Sequence, residues 1–250
     1  MPELPEAERA RQEIERALGR EIVAVDDRDT YVCRPHAPGE IAAALTGRRL
    51  VSAHRQGKLL WVETDGGPDL GLHLGMAGRI VVDEPPAPNG WDRFSLGFAD
   101  GGRLALRDKR RLGRAVLAPD LARLGPDAAE VSRAAFRARI GRGTAPIKAR
   151  LLDQSSIAGV GNLLADEALW RARLHPRRSA GELTAEELDR LRRELRAATR
   201  AAIRDGGVHT GRFVPHRGRG GRCPRCGSEL ERATVGGRTT YWCPVDQAYD

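Results

Sequence analysis

Apolar positions along the 250-residue chain change period more than once. Ala10, Ile14 and Leu18 recur at one-face helical spacing after Pro5, a residue suited to a first helical turn, and Gly19 follows as a stop. A helix over residues 5–18 is expected. Beyond it the runs shorten: residues 21–25, 50–54, 58–63, 79–82, 94–98 and 103–106 alternate or are wholly apolar, as strands are. Asp65-Gly66-Gly67 and Asp100-Gly101-Gly102 read as hairpin turns, and the proline-rich segment 83–92, closed by Asn89-Gly90, as an exposed loop. An antiparallel sandwich or barrel carrying the first helix is the simplest arrangement of these elements.

From about residue 132 to 205 the helical period returns. Thr184 and Glu187 form the two halves of a capping box, and Leu188, Leu191, Leu195, Ala198 and Ala202 supply one buried stripe. Two shorter helices between 151 and 174 flank Ile157-Ala158-Gly159-Val160-Gly161-Asn162. Its paired glycines, with an asparagine opening the next helix, bring backbone amides within reach of an anion, or else make an ordinary packing turn. The fold class expected is α+β, divided into residues 1–130, 131–215 and 216–250.

Charge narrows the partners. Lysine and arginine number 42 against 34 acidic residues, a formal charge of +8, and the pI is about 10.0. The basic residues gather in Arg107-Asp108-Lys109-Arg110-Arg111-Leu112-Gly113-Arg114 and in His216-Arg217-Gly218-Arg219-Gly220-Gly221-Arg222, runs that suit a polyanion and also suit a solvated face. Aromatic residues make up only 4%, which weighs against a single-strand-binding platform. No carboxylate cluster at metal spacing points to a metal-dependent nuclease. No stretch is long and apolar enough for a membrane span or a secretion signal, so a cytoplasmic, nucleoid-associated monomer is expected.

Of the four cysteines, Cys33 stands alone and reads as a buried or inert thiol. Cys223 and Cys226, followed by Cys243 and Asp246, have zinc-ribbon spacing with a carboxylate at the fourth place. One structural Zn2+ is expected, with Asp246 as fourth ligand and His209 or His216 as substitutes. The start of the chain adds a different chemistry. Removal of Met1 would leave Pro2 with a secondary α-amine of unperturbed pKa near ~7.7–8, partly neutral at physiological pH and able to attack an electrophilic carbon. Glu3 and Glu6 flank it as proton carriers, or simply as an acidic first turn.

Taken in order, Pro2-Glu3-Leu4-Pro5-Glu6, Gly57-Lys58, His73-Leu74-Gly75-Met76, Asp108-Lys109-Arg110-Arg111-Leu112-Gly113, the 153–175 segment and the terminal ribbon resemble the bacterial formamidopyrimidine-DNA glycosylase and endonuclease VIII family. The resemblance spans essentially the whole chain. It implies a bifunctional glycosylase and abasic-site lyase acting on damaged double-stranded DNA. Pro2 would attack C1′, with Glu3, Glu6 and Lys58 completing the catalytic set. His73, Asn162 and Arg238 would join Lys58 in gripping the backbone, Lys148 would be a further DNA contact, and Met76, Arg110 and Leu112 would fill the gap left by a flipped nucleotide. Asn162 would lie in a helix–two-turns–helix element and Arg238 at the tip of the zinc-ribbon hairpin.

Three features depart from the family pattern, the first being Asp246 at the fourth ribbon position. Leu112 stands where a phenylalanine is usual. The passage from Gly207 to the ribbon is short, without the longer loop that covers an extruded 8-oxoguanine, which favours oxidised pyrimidines, ring-opened purines or abasic sites. A non-catalytic damaged-DNA or promoter-binding protein on the same scaffold is the alternative, opposed by the intact Pro2, Glu3 and Glu6 set.

Overall fold

The computed structural model describes residues 2–249. By internal contacts the chain forms two compact units, Ala7–Ala122 with Pro2, and Glu3–Glu6 together with the chain from Arg123 onward.

The first unit contains most of α1 (Leu4–Glu15), then β1 (Ile22–Asp26), α2 (Glu40–Leu45), β2 (Leu50–Gln56), β3 (Leu59–Thr64), β4 (Leu70–His73), β5 (Arg79–Val82), β6 (Asp92–Phe98), β7 (Arg103–Arg107) and β8 (Arg114–Leu117). These strands make two antiparallel four-stranded sheets, ordered β1-β6-β7-β5 and β2-β3-β4-β8. Alternation decides which face goes inward: on β6, Phe94, Leu96 and Phe98 are buried and the residues between them are not. They join Leu60, Val62, Leu72 and Leu104 in one core that also receives Ile14 from α1, so the sheets are the layers of a sandwich. Each such side chain contributes about 1.5–3 kcal/mol on burial.

Three elements of this unit lie outside the sequence reading. The six-residue α2 is capped from a distance, because the buried Asp27 carboxylate accepts from the N–H groups of Gly39, Ile41 and Ala42 at 2.8–3.1 Å. Strand β4 contains Gly71, where a Cβ would lie 2.7 Å from Pro119, and β8 begins at Arg114, the last residue of the basic run.

The second unit holds α3 (Arg133–Ile140), α4 (Ile147–Leu152), α5 (Asn162–Arg171), α6 (Ala185–Asp205) and the hairpin of β9 (Glu231–Val235) and β10 (Arg238–Trp242). The expected capping box opens α6, with Glu187 N–H on Thr184 Oγ1 and Thr184 N–H on Glu187 Oε2, and Gly206 closes it in the left-handed region at φ 109°. Leu4, Phe136, Ile147, Leu164, Leu191 and Leu195 share its main core. The β9–β10 turn places Gly236 and Gly237 at φ 58° and 71°, the pair of left-handed residues that a tight two-residue hairpin needs. No helix among the described residues is long and apolar enough to cross a membrane.

Candidate active site and metal centre

Within the second unit the N-terminal peptide is pinned by its own acids. Glu3 precedes α1 and is fully buried. Its carboxylate accepts from Leu163 N–H at 2.8 Å and Leu164 N–H at 3.0 Å, the second and third residues of α5. Those donors lack intrahelical partners, and the positive end of the α5 dipole favours the charge. Gly161, the N-cap of α5, has no side chain to do this work, and a Cβ there would fall 2.2 Å from Glu3 Cδ. The anion seated at the N-terminus of α5, just beyond the Gly159–Asn162 turn, is therefore the chain's own Glu3. Glu6 accepts from Glu3 N–H at 2.9 Å and from Val208 N–H at 2.7 Å, and Leu4 N–H donates to Gly159 C=O at 3.1 Å. Pro2, half-buried, thus precedes a rigidly fixed peptide. Met1 and its processing lie outside the described residues.

In the first unit Lys58 occupies the two-residue turn between β2 and β3, beside Gly57 at φ 62°. His73 pairs with Leu59 across the sheet. Its Nδ1 accepts from Gly75 N–H at 3.0 Å, which leaves Nε2 to carry the proton as a donor. Burial, and then the charge of Lys58, holds the imidazole pKa below the ordinary histidine value. Met76 is 41% exposed, and Arg110 is exposed. The loop carrying Arg110 and Leu112 is organised by buried Asp108, whose carboxylate accepts from the N–H groups of Arg110, Leu112 and Gly113 at 2.7–2.9 Å. Gly75 allows Met76's turn to approach this loop, since a Cβ at Gly75 would sit 2.4 Å from the Leu112 carbonyl.

Asn162 and Arg238 are brought to one place in the second unit. Asn162 Nδ2 donates to Thr239 C=O at 3.0 Å, next to Arg238 at the exposed hairpin. Lys148 behaves differently from the expectation. It is completely buried, its Nζ 2.6 Å from Asp166 Oδ1 and 2.7 Å from Thr240 Oγ1, so it does not present a charge to a phosphate. Arg217 reaches the other oxygen of Asp166 at 2.8 Å and also bonds Thr239 C=O. Burial pushes the Lys148 pKa down and that of Asp166 up, against their mutual attraction. Lys148 is a brace between α4, α5 and β10.

Sulfur and oxygen donors of Cys223, Cys226, Cys243 and Asp246 all lie within 4.8 Å of one another. The Cys226–Cys243 sulfurs are 3.4 Å apart, and Cys223 Sγ is 3.6 Å from Asp246 Oδ2. Tetrahedral zinc with Zn–S near 2.3 Å and Zn–O near 2.0 Å requires edges of about 3.5–3.8 Å. The donor set fits one structural Zn2+, which ties the two halves of the ribbon together. His209 and His216 do not belong to this cluster. Cys33 is buried in the other unit and its thiol pKa is pushed up to about 12, chiefly by burial.

Several site-forming residues escaped the sequence reading, namely Asp166, Glu167, Trp170 and Arg225, as did the pairing of Arg217 with Asp166. Glu167 is buried and accepts from the N–H groups of Arg212, Phe213 and Val214 at 2.7–3.3 Å, fixing the segment that leads to the ribbon. The signal for Asp166 and Glu167 was two adjacent carboxylates inside the otherwise apolar run of α5.

Three family models match the chain in sequence. They are the formamidopyrimidine-DNA glycosylase N-terminal domain over residues 1–115, its H2TH domain over 124–213, and a zinc finger found in FPG and IleRS over 220–248. A formamidopyrimidine-DNA glycosylase of Nocardioides sp. is 38% identical over 278 aligned residues, covering 99% of this chain and 94% of that protein. Among solved structures, Lactococcus lactis Fpg (MutM) in complex with FAPY-dG-containing DNA matches with TM-score 0.87 and 29% identity, covering 99% of this chain and all of that one. MutM in complex with carbocyclic 8-oxo-G-containing DNA also matches with TM-score 0.87, at 29% identity and the same coverage. The chain belongs to the formamidopyrimidine-DNA glycosylase family, and is by class a DNA glycosylase of base excision repair.

Proposed function

We propose that the chain is a bifunctional glycosylase and abasic-site lyase that acts on damaged duplex DNA through the α-amine of Pro2. The carrying observation is the anchoring of residues 3–6. Chain termini are ordinarily loose, yet here buried Glu3 and three backbone hydrogen bonds fix the peptide next to the amine. Pro2 N attacks C1′ as the N-glycosyl bond breaks and the base departs, giving an iminium on the opened sugar. Proton abstraction at C2′ then expels the 3′ phosphate, and a second elimination expels the 5′ phosphate. Glu3 and Glu6 serve proton transfer at the sugar, and Lys58 completes the catalytic set. His73, as a neutral Nε2–H donor, Asn162 and Arg238 contact phosphates. Met76, Arg110 and Leu112 occupy the vacated stack, with leucine a smaller wedge than phenylalanine.

The three segments 1–130, 131–215 and 216–250 divide this work into chemistry, backbone grip and hairpin grip. Solved relatives hold both a ring-opened purine and an 8-oxoguanine analogue, so the fold alone does not choose a lesion. The passage after α6 does favour one. It runs through short 3-10 turns at Val208–Thr210 and Val214–His216, held by Glu6 and Glu167, without the longer loop that covers an extruded 8-oxoguanine. Oxidised pyrimidines, ring-opened purines and abasic sites are the expected substrates. Single-turnover excision from duplexes carrying each lesion checks this: 8-oxoguanine should be processed at least about tenfold more slowly, a difference of roughly 1.4 kcal/mol in activation free energy. Equal or faster release of 8-oxoguanine would reject the lesion assignment.

A further inference from the structure

The fourth corner of the ribbon is a carboxylate, and one arginine is built around it. Arg225, between Cys223 and Cys226 in sequence, donates from Nη1 to Asp246 Oδ2 at 2.9 Å, the same oxygen that faces Cys223 Sγ at 3.6 Å. Its guanidinium carbon lies 4.1 Å from the centre of the Trp170 ring, which fixes the arginine's direction. Trp170 in turn points its Nε1–H at Cys223 Sγ, 3.4 Å away. A carboxylate gathered among three thiolates meets like-charge repulsion and can rotate or take up water. A guanidinium on its ligating oxygen balances the charge and fixes the rotamer, as hydrogen-bonded partners of metal-bound carboxylates do.

We propose that Arg225 is a positioning residue for the metal, required because the fourth ligand is Asp246 and dispensable if that ligand is a thiolate. This rests on the zinc reading of the ribbon and is independent of the DNA chemistry.

The test uses the full chain in five forms: native, Arg225→Ala, Arg225→Lys, Asp246→Cys, and the Arg225→Ala, Asp246→Cys double variant. Zinc affinity is measured by competition with a chromophoric chelator, and zinc content by elemental analysis. Arg225→Ala should raise the zinc Kd about 10–100-fold. Arg225→Lys, which keeps the cation over Trp170 but not the planar fork, should fall between. In the Asp246→Cys background Arg225→Ala should change the Kd by no more than about twofold, the range of independent sites. Equal losses in both backgrounds would show that Arg225 acts through Trp170 and the ribbon as a whole, and would overturn the proposal. So would an unchanged Kd in the native background. If Arg225→Ala does not fold, the effect of Arg225→Lys in the two backgrounds decides by the same criterion. Native protein that binds no zinc would reject the underlying zinc reading as well, and is distinguished by its metal content.

Discussion

The N-terminal peptide and the C-terminal ribbon belong to the same compact unit but are held by opposite means. Glu3 and Glu6 bind backbone N–H groups of Leu163, Leu164 and Val208, so the first residues are fixed by charge against donors that the fold already offers. The ribbon has a two-stranded hairpin and a small cluster around Trp170, Phe213, Leu230 and the buried cysteines. An isolated hairpin is marginal in water, and the metal ligands supply what its core lacks. One end should therefore be insensitive to chelation and intolerant of acid loss, the other the reverse.

The largest effect is expected at Glu3. Replacing it with alanine leaves two buried donors unpaired, at about 1–3 kcal/mol each, and removes a proposed proton carrier. Denaturant unfolding should lose on the order of 3 kcal/mol, with excision falling by at least about a hundredfold. Glu3→Gln keeps the shape and one of the two acceptors, so it should recover part of the stability but not the rate. Unchanged stability in Glu3→Ala would erase the contrast between the two ends.

Next in size is Cys223→Ser, or zinc removal by chelator. Hydrogen exchange in β9 and β10 should accelerate while β6 and β7 stay protected, and DNA affinity should drop about tenfold, near 1.4 kcal/mol. Equal loss of protection in the sandwich would mean the ribbon is not a separately stapled element. The smallest effect concerns His73. Its folded pKa lies below the unfolded value near ~6.5, so the stability it contributes is present above that pH and is lost as pH falls toward the folded pKa. The melting temperature of native protein should decline over that interval more than that of His73→Gln. Identical slopes would remove His73 as the cause.

Local periodicity made the sandwich strands and α6 legible, because alternation and the Thr184–Glu187 capping box are short-range signals. It missed α2, whose cap comes from Asp27, and β4, whose Gly71 makes sense only under Pro119. Pro2, Glu3 and the cysteines carry the chemistry proposed for them in residue type and spacing. Lys148 does not: a lysine reads as exposed unless its buried partner is seen, and Asp166 is eighteen residues away on the next helix, a separation only folding closes. The paired glycines before α5 left an anion site and a packing turn equally open, and that Glu3 would sit on the Leu163 and Leu164 amides was not legible.

The most direct test of the proposed chemistry is borohydride trapping on duplex DNA with one abasic site, comparing protein processed to Pro2 with protein whose terminus is blocked by retained Met1. Processed protein should form a stable covalent adduct, because hydride reduces the imine between the Pro2 nitrogen and C1′, and blocked protein should form none. Equal trapping by both forms, or no adduct from processed protein that binds the DNA, would contradict the N-terminal amine as nucleophile.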